Sequence, residues 1–341
     1  MNYVVLDLEW NQSPYGKNDS IEDLPFEIIE IGAVKLDGSL NVVDSFDGLV
    51  KPQVYDEMHS KISEITRFNM KELKEKGRYF EEVIKDFLEW CGEDYLFCTW
   101  GTQDLTELQK NIKFYNLPYK FPLPFKYLDI QKLFSIRFED GKSRSSLEKA
   151  VEVLKIKRKD DFHHALSDVK YTVKVMKKIK FDGIIERNFS IDLFKKPSNK
   201  KQEIYVVYDN YSKYITRLFS SKERALADRE VRTVRCYECQ KLHPDEPCKV
   251  NKLENWFSDN SKVYYYLGEC ETHGFIKGKI RMKKTDDDRV YVVKTVKLTD
   301  MEGASEVYQK QLAIRERRRR RRQSTLNEDI IEGEINDEKK D

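Results

Sequence analysis

The sequence predicts an α/β protein in which a mixed sheet is flanked by helices and followed by a smaller β-rich region. Three observations carry this. An apolar, strand-like run opens the chain at residues 3–10. Strand-like and helix-like segments then alternate until about residue 180. Beyond a polar, basic stretch at 195–201 the pattern changes to short strands separated by turns. A chain of 341 residues is long enough for two domains, and 39% hydrophobic residues suffice for a core despite 36% charged ones.

In chain order, 3–10 reads as a buried strand. A polar, Gly- and Pro-containing loop follows at 11–25. Residues 27–36 read as a second strand, Asp37 and Gly38 as a hairpin turn, and 40–50 as a third strand paired with the second. From 61 to 91 the pattern is helical, with Phe80, Val83, Ile84, Phe87 and Leu88 at helical spacing. Residues 95–100 form a short apolar strand, and Asp104 opens the next helix. After a Pro-punctuated segment at 117–125, residues 127–130 read as a strand. Ser145 or Ser146 caps a helix through Leu154, and a last helix spans about 165–180.

These readings define the expected domains: 1–181, a linker at 182–202, and a β-rich domain at 203–300 with strands at 204–208, 262–267, 275–282 and 290–298 and a short helix at 221–229. A basic helix at 301–322 and a disordered acidic tail at 323–341 close the chain. Net charge is only +2, but six consecutive arginines occupy 317–322. No stretch is long enough to span a bilayer, and no secretory signal opens the chain. Six cysteines in so long a chain point to a reducing compartment, and the expected location is cytoplasmic.

Two groups of residues carry chemistry. In a strand, alternate side chains share a face, so Asp7 and Glu9 lie side by side. Adjacent carboxylates repel unless a cation sits between them, and hard divalent ions prefer oxygen ligands. Asp104 stands where a strand ends and a helix begins, a position that collects ligands in α/β sheets. His163 precedes Asp168 by five residues at a helix start. Taken singly, Asp104 reads as an ordinary helix N-terminal acid, and the His163–Asp168 pair reads as well as incidental.

Jointly, Asp7-x-Glu9, then Asp104, then His163-x4-Asp168 resemble the DEDDh family of 3′→5′ exonucleases over roughly residues 1–180. Trp100-Gly101-x-x-Asp104 and the Ser145-Ser146-Leu147-Glu148 helix are most similar to its RNA-processing branch. The resemblance implies an RNase H-like fold. It further implies that Asp7, Glu9, Asp104 and Asp168 hold two Mg²⁺ or Mn²⁺ ions and that His163 is the general base, the product being a nucleoside 5′-monophosphate. His164, four residues before Asp168, shares a helix face with it; His163 has the family spacing, so His164 is assigned to packing or to a phosphate. The resemblance also places Trp10, Ile65 and Thr66 at the terminal nucleotide. Core packing is the competing reading for these apolar positions.

The second group is Cys236-x2-Cys239 with Cys270-x2-His273, each pair lying between β-like segments and each with zinc-knuckle spacing. Four nitrogen and sulfur ligands make a closed, structural Zn²⁺ site resembling a zinc ribbon, with Cys248 and His243 as spare ligands. Cys91 and Cys98 read as core. Tyr264, Tyr265, Tyr266 and Phe275 interleave with Lys277, Lys279, Arg281 and Lys283, so bases would stack on the aromatics while the cations follow phosphates, unless the tyrosines face the domain's own core. Arg317 and Arg318, within the arginine run, are expected phosphate contacts.

The expected function is a metal-dependent 3′→5′ exoribonuclease acting on single-stranded 3′ ends, RNA favoured over DNA, with no membrane partner. A DNA exonuclease of the proofreading or repair kind and a non-catalytic nucleic-acid-binding protein are the rival readings. All five DEDDh positions are present, which weighs against the last.

Overall fold

The structure, a computed structural model, describes residues 2–16, 19–158, 161–179, 187–242, 248–258 and 260–337. It divides into two compact units, Met1–Lys195 and Lys196–Asp341. The division falls inside the expected linker.

The first unit is built on β1 (Asn2–Asn11), which pairs antiparallel with β2 (Glu27–Leu36) and parallel with β4 (Tyr95–Thr99). With β3 (Val42–Leu49), β5 (Lys126–Asp129) and β6 (Ser190–Ile191) the sheet order is β3-β2-β1-β4-β5-β6. The period-two alternation of β1 separates two cores. Tyr3 and Val5 join Val34 and Leu36 beneath α5 (Ile130–Phe138), α6 (Leu147–Val153) and α7 (Ala165–Ile179). Val4, Leu6 and Leu8 join Ile31 and Ala33 beneath α3 (Phe80–Cys91) and α4 (Gln103–Phe114). This is the expected mixed sheet between helical layers, the RNase H-like arrangement.

Local departures have local causes. The helical stretch from 61 is three helices: α1 (Ser60–Thr66), α2 (Met70–Lys76) and α3. Arg67, at φ 61°, ends the first, and the Asn69 side chain caps the second. Helix α5 was not anticipated, because no turn residue separates it from β5. Asp129 ends the strand and accepts the Lys132 N–H as the helix cap. β6 falls in the expected linker; Asp192, just after it, donates its N–H to the Phe125 carbonyl and accepts from Gln109, which ties this stretch to the first unit.

The second unit holds an antiparallel sheet in the order β7-β8-β12-β11-β10-β9. The strands are β7 (Ile204–Val207), β8 (Ser212–Ile215), β9 (Val250–Ser258), β10 (Val263–Cys270), β11 (Gly274–Lys284) and β12 (Val290–Leu298). The sequence reading missed β8 and β9. β9 lacks clean alternation, since its pairing with β10 is interrupted by two register shifts. Short helices α8 (Lys222–Ala227), α9 (Arg229–Arg232) and α10 (Tyr237–Leu242) lie between β8 and β9. The β-rich domain is therefore larger than a minimal ribbon.

One open alternative is narrowed and one expectation corrected. Of the two readings of the tyrosine triplet, the contacts favour packing within the domain. Tyr264 packs with Ile280, Val292 and Trp256, and the Tyr266 ring lies tilted against Trp256, centres 5.3 Å apart. Tyr265 points the other way, between Phe257 and the Lys310 ammonium, which lies 3.9 Å from its ring centre. The last helix, α11 (Met301–Asp337), does not stop at 322 but continues through most of the expected tail. Glu, Gln and Leu there are good helix formers and no proline intervenes. Residues 338–341 of that tail lie outside the described residues. No described helix is long and apolar enough to cross a membrane.

Candidate active site

The acids gather where β1 and β4 part. Their parallel pairing ends at Val5 and Cys98. Past that point the Leu8 N–H donates instead to Asp104 Oδ1, at 3.3 Å, in the first turn of α4. Asp104 is buried there, between the backbone of its own helix and the strand that carries Asp7 and Glu9. The opening left by diverging parallel strands is where an α/β sheet ordinarily receives a ligand.

Asp7 and Glu9 continue the face of Tyr3 and Val5, and α7 covers that face. Opposite Asp7 in the pairing register stands Gly32. A Cβ there would meet the Leu166 nitrogen at 2.3 Å and the Ala165 carbonyl carbon at 2.4 Å. Only glycine lets α7 start so close to the sheet. This brings Asp168 over β1, and ligand oxygens of Asp7, Glu9 and Asp168 fall within 4.8 Å of one another. Asp104 stands outside this trio but beside Asp7, whose charge it opposes.

The electrostatics of the four acids are uniform in sign. Burial, then the charges of Asp104, Glu9 and Asp168, push the Asp7 carboxyl well above the carboxylate range. Burial and Asp168 raise Glu9 to about 8. Burial raises Asp104 to about 7, against the backbone hydrogen bonds it accepts. Burial raises Asp168 to about 6, against the His163 N–H and imidazole. Asp168 Oδ1 is buried and has no hydrogen-bond partner among the described residues. Clustered hard oxygens, an unpartnered carboxylate oxygen and mutual repulsion fit divalent cations.

His163 lies just before α7 at φ 69°. Its N–H donates to Asp168 Oδ2 at 3.3 Å, and its Nε2 lies 3.4 Å from Glu148 Oε1 of α6. His164 instead packs edge-on against Phe68, ring centres 5.0 Å apart. Trp10 is half-buried against Phe26. Ile65 is exposed, whereas Thr66 is buried and donates its hydroxyl to the Ile62 carbonyl.

Three residues to which sequence reasoning gave no role in the site also organise it. Glu30 pairs with Glu9 across β1 and β2, and its carboxylate accepts the Ala165 N–H at 2.8 Å. Glu148 faces His163. Asn11 donates to the Glu57 carbonyl and accepts the His59 N–H, which anchors the approach to α1. For Glu30 a signal existed, an acid in an otherwise apolar strand. Asn11 had none.

The family model described as an exonuclease (RNase_T) matches residues 4–176, just over half of the chain. The chain belongs to this exonuclease family. It is similar to a probable 3′-5′ exonuclease, KapD, of Bacillus subtilis, with 28% identity over 181 residues, 52% of this chain and 84% of the relative. It is 41% identical over 86 residues to a PolC-type DNA polymerase III of Thermotoga maritima, a match covering 25% of this chain and 5% of the polymerase. Among solved structures, the nuclease domain of 3′hExo, a DEDDh family member bound to rAMP, is 21% identical. That match covers 56% of this chain and 96% of that one, with a TM-score of 0.46. The chain is thus a 3′→5′ exonuclease, a phosphodiester hydrolase.

The exonuclease carries its second cluster in the second unit. Cys236, Cys239, Cys270 and His273 offer ligand atoms within 4.8 Å of one another. Cys239 Sγ lies 3.6 Å from Cys270 Sγ and 3.3 Å from His273 Nδ1, and Cys236 Sγ lies 3.6 Å from that nitrogen. Zn–S bonds of about 2.3 Å in a tetrahedron need sulfurs just under about 4 Å apart, which these meet. The first pair lies at the short helix between β8 and β9, with Cys239 on α10, while Cys270 ends β10 and His273 stands in the turn to β11. Cys248 Sγ is 4.0 Å from Cys270 Sγ, at the cluster's edge. His243 lies outside the described residues. Cys91 and Cys98 are buried in the first unit, as expected.

Proposed function

We propose that the exonuclease removes nucleoside 5′-monophosphates from single-stranded RNA 3′ ends with two Mg²⁺ or Mn²⁺ ions held by Asp7, Glu9, Asp104 and Asp168. The single observation that carries this is the convergence of Asp7, Glu9 and Asp168 within 4.8 Å, with an unpartnered oxygen on Asp168. When bound, the cations would neutralise these carboxylates, lower the pKa of a water and steady the charge on the departing 3′ oxygen. The residues of the chain do the rest. His163 Nε2 takes the proton of the attacking water as its oxygen bonds to phosphorus and the bond to the 3′ oxygen breaks. Glu148 Oε1, 3.4 Å from that nitrogen, would balance the charge of the imidazolium that forms. Trp10 and Ile65 offer apolar surface to the terminal nucleotide, the Thr66 hydroxyl donates to the Ile62 carbonyl within α1, and His164 packs on Phe68.

Cys236, Cys239, Cys270 and His273 would hold one structural Zn²⁺. Arg317 and Arg318 are exposed on α11 and would contact phosphates, and Arg318 also donates to the Ser258 carbonyl. The preference for RNA rests on the likeness of Trp100 to Asp104 and of Ser145 to Glu148 to the RNA-processing branch. A second reading, a DNA exonuclease, is favoured by the 41% identity to a segment of a DNA polymerase. Digestion of 5′- and 3′-labelled RNA and DNA of one sequence, with Mg²⁺ or Mn²⁺, separates the two. Faster release of ribonucleotides from the 3′ end is expected; equal or faster release from DNA would displace the RNA reading.

A further inference from the structure

The sheet of the second unit has two unlike faces. On one, Ile280, Val292, Tyr214 and Trp256 pack with α8 and α9. On the other, the pairing register aligns Tyr265, Lys279, Thr295 and Lys213 in one row across β10, β11, β12 and β8. Arg281 stands in the next row, opposite Val293, and Lys277 and Lys283 continue β11 on the same side. Alternate residues of a strand recur every 7 Å or so, about twice the rise per residue. Lys277, Lys279, Arg281 and Lys283 therefore form an evenly spaced cationic line. The first three are part-exposed and Lys283 is exposed.

Two acids, Glu254 and Glu269, share this face, neither directly opposite a member of the cationic line in the strand register. Glu254 is taken by Gln311 and Arg315 of α11. Glu269 lies at the end of β10, opposite Phe275. Among the described residues, Lys213, Lys279, Arg281 and Lys283 make no ion pair. Burial first, and then Arg281, hold both Lys213 and Lys279 below the usual lysine range. Helix α11 adds Lys310 over Tyr265. Like charges held together without a partner make a site for a polyanion. With Tyr265 covered and Tyr264 and Tyr266 turned to the opposite face, the tyrosine triplet offers this surface no free ring.

We propose that this face binds the sugar–phosphate backbone of a single-stranded nucleic acid, gripping the substrate strand without reading its bases. The proposal rests on the reading of the chain as an exonuclease of single strands. The test uses the full chain with its metals, in an Asp7→Asn background that blocks cleavage, and an unstructured RNA of about 20 nucleotides. Binding is followed by fluorescence anisotropy at several salt concentrations. Each lost phosphate contact removes about 0.7 from the slope of log K against log salt for a single strand. The triple variant Lys213→Gln, Lys279→Gln, Arg281→Gln is expected to lose about 2 from that slope. Its affinity for the long strand should also fall relative to that for a trinucleotide. Lys283→Gln, at an exposed site that folding does not need, should lose about 0.7. A charge-matched control, Lys71→Gln, Lys74→Gln, Lys85→Gln, should lose nothing. Unchanged slope and affinity in both test variants would overturn the proposal. Poly-glutamate that competes as well as RNA at equal charge would overturn the nucleic-acid occupant. If the protein with Asp7 intact leaves every single strand uncut, the exonuclease reading itself fails, a result visible without the variants.

Discussion

Glu30 Oε2 accepts a hydrogen bond from the Ala165 N–H at 2.8 Å, joining the second strand to the first residue of α7. The bond satisfies one of the orphan donors at a helix start. It also fixes the turn from which Asp168 reaches Asp7 and Glu9. Burial raises Glu30 to about 7 against the pull of this hydrogen bond, so the acid sits there at a cost. We predict that Glu30→Gln, which keeps an acceptor oxygen, retains most activity and divalent-ion affinity. Glu30→Ala should weaken both about 10-fold or more, since a hydrogen bond involving a charged group contributes about 1.5–3 kcal/mol. Titration with Mn²⁺ and single-turnover rates check this. Equal loss in both variants would assign the effect to charge instead of helix placement.

Asp7→Asn should abolish hydrolysis and change the response of stability to pH. Glu9, Asp104 and Asp168 titrate near 8, 7 and 6 in the folded protein, against ordinary values of 4.5, 3.8 and 3.8. Folded carboxyls with raised pKa values hold protons that the unfolded chain has released. Without added divalent cation, stability therefore falls as pH rises from about 4 to about 8. Mg²⁺ should raise the melting temperature most at the upper end of that window. Removing the Asp7 charge should flatten the fall. Melting curves at pH 5, 6, 7 and 8 with and without Mg²⁺ decide it, and a wild-type Tm that rises through this range would contradict the argument.

The two histidines should separate cleanly. His163→Ala is expected to slow the chemical step by roughly 10²–10⁴-fold, the usual share of a general base. His164→Ala loses an edge-to-face contact with Phe68 and should cost about 0.5–1.5 kcal/mol of stability, with a small effect on rate. Single-turnover kinetics and melting of both variants test the assignment. A dead His164 variant beside an active His163 variant would reverse it.

Much of this site was legible because its parts are periodic or local. Asp7 and Glu9 follow from strand alternation, and His163 and Asp168 from one helix start. The outline of the first sheet came from the same alternation. What escaped depends on distant contacts. Glu30 matters through a residue 135 positions away, and Asn11 through the loop before α1. In the second unit, β9 was hidden by its register shifts, and α10 by two cysteines whose spacing suits a knuckle and a helix alike. The two sides of the tyrosine triplet could be told apart by alternation, but which side was core needed Trp256 and α11.

The last prediction concerns metal in the second unit. Cys236 and Cys270 are buried, and both belong to an apolar cluster with Ile276 and Val296. Burial pushes the Cys270 thiol up, but the backbone N–H groups of Thr272 and His273 and the imidazole of His273 hold it down at about 6. A thiolate ready at neutral pH inside an apolar cluster needs a cation, and four such ligands convert metal binding into folding free energy. The purified exonuclease should carry about one zinc per chain on this ligand set. Cys236→Ser should lower that content and expose amides of β10 and β11 to hydrogen exchange, while those of β1 and β2 stay protected. Cys248→Ser, at the edge of the cluster, should keep its zinc. Elemental analysis with exchange mass spectrometry reads both. A protein isolated without zinc would remove the structural role, and zinc lost in Cys248→Ser but kept in a His273→Ala variant would make the fourth ligand a thiol.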